Sequence, residues 1–167
     1  MRTLFILAFL ANVTVTLISL AVLPSRVAIH FGSGGLANGW APNYVNAILM
    51  TGVHLLIFCS IYFSPRLAFL LPAKWINIPN KEYWLMPVNR TRALEITSGL
   101  LWRFGIAIFL FFLAISLLTL QANMAKPVRL NETIFFTAFG AFLIYTVCWT
   151  IAYYRAFRLP MDMKSTI

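Results

Sequence analysis

Charge is what this sequence has least of. Only 10% of its 167 residues are charged, against about 25% in an ordinary soluble domain. So few charges could not cover a water-exposed surface. Acids are scarcer still: Glu82, Glu95, Glu132 and Asp162 are the whole set, far apart in sequence. No spaced carboxylate pair is available for acid–base work. The two cysteines, Cys59 and Cys148, both fall inside apolar runs, which excludes a disulfide framework or a zinc spacing. His54 and Cys59 are five residues apart, so on a helix they point about 140° from each other and do not form a metal pair. Gly32, Gly34, Gly35 and Gly39 do not follow a nucleotide fingerprint, and no phosphate loop is present. Together these absences argue against an enzyme, a cofactor or a metal.

What the chain has in abundance is apolar residue in long stretches: 61% hydrophobic overall, with a mean hydropathy of +0.84. Four runs stand out, at about 4–23, 45–63, 96–120 and 133–157. Each approaches or exceeds the ~20 residues a helix needs to cross ~30 Å of hydrocarbon. Unpaired strand edges are not tolerated in lipid, which leaves helices. The sequence therefore predicts a single integral membrane domain over 1–167, an all-α membrane protein with four transmembrane helices. The first run could be read as a signal peptide. It is longer than the ~7–15 apolar residues of a signal core, and Ser19-Leu20-Ala21 is a weak cleavage match, so a retained helix is expected.

Net charge is +9, and its placement sets orientation. With the N-terminus inside, the cytoplasmic side collects Arg2, Arg66, Lys74, Lys81, Arg90, Arg92, Arg103, Arg155, Arg158 and Lys164. The outer side holds Arg26, Lys126 and Arg129, a ratio of ten to three. The positive-inside rule then predicts both termini in the cytoplasm of a multi-pass protein of the cell inner (cytoplasmic) membrane. Trp40 and Tyr44 would sit at the outer boundary, and Trp102, Trp149, Tyr153 and Tyr154 at the inner one. The expected partners are the lipid bilayer and its anionic head groups, not nucleic acid. In the first helix Ala8, Asn12, Thr16 and Ser19 share a face. In the fourth, Thr137, Ala141, Cys148 and Ala152 do, beside Gly140. These small, weakly polar faces are expected to meet in the bundle, and self-association into a homo-oligomer is compatible with them.

Two loops carry the remaining information. The first, between the first two spans, packs Pro24, His30, Gly34-Gly35, Asn38-Gly39 and Trp40 into a short stretch. Two tight turns at the glycines would make it a compact outer cap. His30, Asn38 and Trp40 are its candidate ligand-binding residues, for a peptide or protein partner. The bland reading of His30 is a loop-fixing hydrogen bond. The second loop, Ser64 to Glu95, has prolines at 65, 72, 79 and 87, each expected to break or bound a helix. Between them lie apolar and aromatic residues interleaved with cations, including Asn80, Lys81, Tyr83 and Trp84. One reading lays this proline-rich loop in the inner interface, with cations toward lipid phosphates. The other folds it under the bundle.

These loops carry a resemblance. Leu23-Pro24, His30, Gly35 and Asn38-Gly39-Trp40 resemble the signature of the bacterial SdpI-type membrane-protein family, specifically the uncharacterised N-terminal domain that SdpI-like immunity proteins share with smaller membrane proteins. Ile76-Asn77-Ile78-Pro79-Asn80-Lys81-Glu82-Tyr83-Trp84-Leu85 is similar to the second recurrent segment of that domain. The resemblance covers the first through third spans. It implies a multi-helix membrane domain. In the long immunity proteins it implies protection against an exported peptide toxin and relay of that signal to a repressor at the membrane. The chain departs from them in having four predicted spans where they carry further helices. The resemblance implies no catalytic residues.

Three polar residues lie within predicted spans: Asn12, His54 and Arg103. An ionisable group in a span is a functional candidate by default. His54 could move protons, or hydrogen-bond a neighbouring helix while neutral. Arg103 could snorkel to the inner interface, or form a relay with Glu95 eight residues earlier. The leading expectation is a sensing or immunity-type interaction protein. The alternative is a small transporter or channel subunit built on Asn12, His54 and Arg103. The charge asymmetry makes a direct prediction. Reporter fusions after Ile167 and within 66–92 should report cytoplasm, and fusions near Ser33 and Lys126 the exterior; an exterior C-terminus would overturn the orientation.

Overall fold

Peptide groups in hydrocarbon must find partners inside the chain, and the apolar runs accordingly form helices. The computed structural model describes residues 1–160; Asp162 and Lys164, counted above among the acids and cations, lie outside the described residues. The helices are α1 (Arg2–Val22), α2 (Asn43–Leu70), the single turn α3 (Lys81–Trp84), α4 (Pro87–Met124) and α5 (Glu132–Ala156). All except α3 are long and apolar enough to cross a membrane. That is the composition of a multi-pass membrane protein.

Two helices outrun their apolar runs. α2 has 28 residues, about 42 Å, and α4 has 38, about 57 Å, against ~30 Å of hydrocarbon. Hydropathy marks the depth of the bilayer, not the end of a helix. Asn89, Arg90, Thr91 and Arg92 continue α4 beyond the apolar run because nothing in them stops a helix. Pro87 does bound α4, at its first turn, where the missing N–H costs nothing. Pro65 was expected to end α2 but lies buried inside it. Packed neighbours let a membrane helix tolerate such an interruption.

The segment between α1 and α2 departs from the all-α expectation. It is a two-stranded antiparallel hairpin of β1 (Arg26–Phe31) and β2 (Ala37–Pro42). Gly34 and Gly35 form the turn, with φ of 74° and 71°, a region open to glycine and strained for other residues. The second turn expected at Asn38-Gly39 is not formed: both residues lie in β2, and Gly39 pairs with His30 across the hairpin. Strand pairing satisfies the backbone there, so no turn is needed.

Tertiary contacts hold the hairpin against the bundle. Val27 and Ala28 are buried. The Asn123 side chain of α4 accepts from the Ala28 N–H at 2.7 Å and donates to the Ala28 carbonyl at 3.0 Å. One amide thus completes the backbone pairing of a buried strand residue. At the tip, the Leu130 N–H donates to the Gly35 carbonyl at 2.8 Å, and Arg129 Nε donates to the Gly34 carbonyl at 2.6 Å. A Cβ at Gly35 would run into the Leu130 carbonyl.

α1, α2 and α4 form the bundle core, with α4 touching each of the others and α5 packed along the outside of α4. The expected meeting of small faces on α1 and α5 does not occur. Ala141, Cys148 and Ala152 are exposed, and a Cβ at Gly140 would find open space. α5 presents its aromatic stripe instead. Phe142 stacks on Phe111 at 5.0 Å between centroids, and Trp149 packs on Phe104 at 4.7 Å. Large rings seven residues apart offer more contact than a small-residue face, which helps only where backbones approach closely.

At the end of the bundle away from the hairpin, residues 71–86 fold back against it. Ile76 and Ile78 join Phe69, Ala93, Leu100 and Phe157 in one buried cluster. Asn80 Nδ2 and Trp84 Nε1 both donate to the Phe157 carbonyl, at 2.7 and 2.9 Å. They cap the end of α5, whose last carbonyls lack partners in the helix. Of the two expectations for this loop, packing against the bundle describes these residues, while Lys81 projects outward.

Two substitutions test the hairpin's anchorage in purified protein. Asn123→Ala should lower the stability to unfolding in detergent by about 1–3 kcal/mol for each backbone group it orphans. Gly35→Ala should also destabilise, whereas Gly99→Ala, where a Cβ meets nothing within 4 Å, should not. Equal unfolding midpoints for Gly35→Ala and Gly99→Ala would contradict the clasp at Leu130.

Candidate functional site

Asn12, Thr16 and Ser19 recur along one face of α1, and Asn43, Ala47, Met50 and His54 along one face of α2. Both faces turn toward α4, and between them lies a cavity of about 160 Å³ just under the hairpin. Its walls carry Thr16, Ser19, Asn43, Asn46, Ser116 and Thr119 among apolar neighbours. Polar hydroxyls and amides at such density are unusual within apolar spans and mark a place where polar matter can sit.

Most of these side chains are partly committed. Asn43 Nδ2 lies 3.1–3.3 Å from the Ser19, Leu20 and Leu23 carbonyls and so caps the end of α1. Its Oδ1 is buried and finds no partner among the described residues. Thr16 Oγ1 donates to the Asn12 carbonyl at 3.0 Å. Asn12 Nδ2 reaches the Ala8 and Phe109 carbonyls at 2.9 and 2.8 Å, tying α1 to α4. Its Oδ1 is likewise buried without a partner.

His54 lies one helical turn beyond Met50, at the deep end of this region, and is fully buried. Neither ring nitrogen has a hydrogen-bond partner among the described residues. Its ring meets Phe112 edge-on at 5.5 Å and Phe109 at 6.2 Å. Buried polar atoms are usually paired, so an imidazole held among rings with both nitrogens free calls for an explanation. Beyond it the bundle closes. Phe5, Phe58 and Phe109 pack together, with Phe5–Phe58 stacked at 5.2 Å. Ile61 joins this cluster. A Cβ at Gly105 would strike the Phe5 ring, so glycine is what lets the plug seal.

A second cleft, of about 270 Å³, lies between the hairpin, α4 and the start of α5, and His30 and Glu132 contribute to its walls. Ile29, Ile115 and Thr119 line both hollows, so the two are neighbours. His30 Nδ1 hydrogen-bonds Asn38 Oδ1 across the hairpin. Gly39 is required beside it, because a Cβ there would meet the His30 Cβ at 2.8 Å. Trp40 is 44% exposed on β2 and lines neither hollow.

The structure thus sets Asn12 and His54 each against Phe109 of α4, and places His30 and Asn38 on the hairpin. It does not bring Arg103 to them. That side chain is exposed, and its backbone carbonyl accepts from Tyr145 Oη at 3.1 Å. Nor does a Glu95–Arg103 relay form: Glu95 pairs with Arg92 at 3.2 Å, and both are exposed. Asn80 and Trp84 serve the cap of α5, at the far end from the cavity. Sequence reasoning missed Asn43 and Asn123. A polar amide at the start of α2 and another at the end of α4 were the available signal, masked because both lie at span boundaries, where asparagine is unremarkable. Among the described residues no group of three or more His, Cys, Asp or Glu side chains gathers as a metal site would require.

Comparison with known proteins finds one similarity, in this region. Residues 6–55 match a domain of unknown function, DUF1648. The matched stretch runs from α1 through the hairpin to the residue after His54. It contains both the α1 and α2 walls of the cavity and the whole His30–Asn38 pair, and stops short of 76–85. No curated protein and no solved structure matches the chain.

Proposed function

We propose that this chain is a membrane sensor of the immunity type, related to SdpI-like proteins through its DUF1648 segment, with the cavity under the hairpin as the place where a partner is received. The observation that carries the reading is a polar-lined hollow with the unpartnered, buried Asn43 Oδ1 in its wall and, further along the same two helices, Asn12 and His54 with unpartnered buried atoms next to an aromatic plug. A small polar hollow backed by a closed aromatic cluster suits recognition better than conduction. With the orientation expected from charge, it lies toward the outer face, where an exported peptide would arrive. The partner's own donors and acceptors would satisfy Asn43 Oδ1 and the polar wall. The distal segment 71–86, clamped on α5 through Asn80 and Trp84, would be the part that reports inside.

His54→Leu separates this role from a structural one. Replacing an unpartnered buried polar group by an apolar one of similar size is neutral or stabilising. The variant should therefore unfold no more easily than wild type, yet lose protection when cells expressing it are challenged with exported peptide toxins. Ser116→Phe, which fills the cavity, should do the same. Retained protection in both variants would remove the cavity from the mechanism. The transporter reading draws support from an ionisable group buried mid-span. It predicts proton flux in liposomes carrying the purified chain, whereas the sensor reading predicts none above empty liposomes.

A solvent-access measurement checks the plug independently. In a chain lacking Cys59 and Cys148, Asn46→Cys and Ser116→Cys should react with a membrane-impermeant thiol reagent added from the hairpin side. Phe58→Cys should not. Equal labelling at all three would mean that the hollow continues through the bundle.

A further inference from the structure

The far end of the bundle carries a feature that the sensor reading does not use. Where α2 leaves the bilayer, its last turns and the first turns of α4 leave a broad open groove of about 650 Å³ between them. Its floor is apolar, with Phe69, Leu70 and Leu94. Its rim is polar and cationic, with Arg66, Arg90 and Thr91. Among the described residues, no carboxylate lines it. We propose that this groove is a binding site for one anionic phospholipid, its phosphate held between Arg66 and Arg90 and the upper part of an acyl chain laid along Phe69, Leu70 and Leu94.

Depth supports the assignment. Counting ~20 residues of α2 from Tyr44, the residue expected at the other interface, for ~30 Å of hydrocarbon, ends near Phe63. Arg66 then lies about one turn further, at the level of lipid phosphates. This holds for either orientation of the chain, since both faces of a bilayer have a phosphate layer. Leu70 is 81% exposed and Leu67 60%, apolar surface that the headgroup region would leave in contact with water unless something covers it.

The two arginines are held ready by different means. Arg90 Nη2 donates to the Phe69 carbonyl at 2.6 Å and lies 3.3 Å from the Leu71 carbonyl. It thereby caps α2 and sits at the negative end of that helix's dipole. Its remaining N–H groups make no hydrogen bond among the described residues. The Arg66 guanidinium lies over the Tyr62 ring at 5.9 Å, with Arg2 over the same ring at 5.3 Å. Arg66 makes no hydrogen bond or ion pair among the described residues. The one ion pair found among them joins Arg92 to Glu95. Guanidinium is the group best matched to a phosphodiester, because it can offer two parallel donors.

The test uses the full chain purified in detergent, with dioleoylphosphatidylglycerol as probe and dioleoylphosphatidylcholine as the neutral comparison, read by native mass spectrometry. Wild type should retain one phosphatidylglycerol in preference to phosphatidylcholine. Arg66→Gln should weaken that retention about fivefold, the effect expected of one cation near an anionic lipid. Thr91→Trp should block the groove and weaken it at least as much, without touching Arg90 or the cap it forms. Arg92→Gln should change nothing. Equal retention of the two lipids by wild type would overturn the proposal, as would equal loss in Arg66→Gln and Arg92→Gln. So would displacement of the lipid by millimolar glycerol phosphate, since that would mean an anion site without a lipid contribution.

Discussion

Within the span region, no water is on hand to satisfy a peptide group at a helix end or a strand edge, so each must be satisfied by the protein. In this chain the task falls largely to asparagine. Asn12 donates to a carbonyl of α4, Asn43 to the end of α1 and Asn80 to the end of α5, while Asn123 accepts from the Ala28 N–H and donates to the Ala28 carbonyl. Each of these bonds joins two elements distant in sequence. The carboxamide suits the task because it carries donors and an acceptor without a charge. Apolar packing holds the helices together, but these four amides decide which turns lie level with which.

Two of these four clamps meet on α4. It receives the Asn12 amide, supplies Asn123, begins beside the groove at Arg90 and carries α5 on its outer side. Because it is far longer than a bilayer is thick, it links the hairpin end to the groove end as one continuous rod. The cavity and the cationic groove are thus two ends of a single helix's surroundings. A shift of α4 along its axis would alter both.

Much of this could be read from sequence. Four spans follow from run length, and the importance of the region from His30 to Trp40 from its density of special residues. Gly34-Gly35 as a turn followed from glycine's access to positive φ. Other features were illegible for definite reasons. Strand pairing within 26–42 is a cross-chain hydrogen-bond pattern, and a six-residue strand with glycine in its partner leaves little alternation to detect. Pro65 within a helix depends on neighbours that only the fold supplies. On α5 two stripes compete, one small and one aromatic, and only packing decides which faces inward. The cavity needed Asn43 and Ser116, which are far apart in sequence and individually ordinary.

The long reach of the amide clamps bears on how the chain is made. Asn12 meets the Phe109 carbonyl 97 residues later, and Ala28 meets Asn123 after 95. At about 5–20 residues per second, synthesis separates these partners by roughly 5–20 s. Before that interval ends, α1, the hairpin and all of α2 are made, while their polar atoms still lack α4. The first two helices therefore emerge as a pair that is not yet at home in lipid. Something must shelter those amides until α4 arrives, whether the insertion machinery or the water at its mouth. The stretch that matches a family model, residues 6–55, thus holds Asn12 and Ala28, whose partners come only with α4.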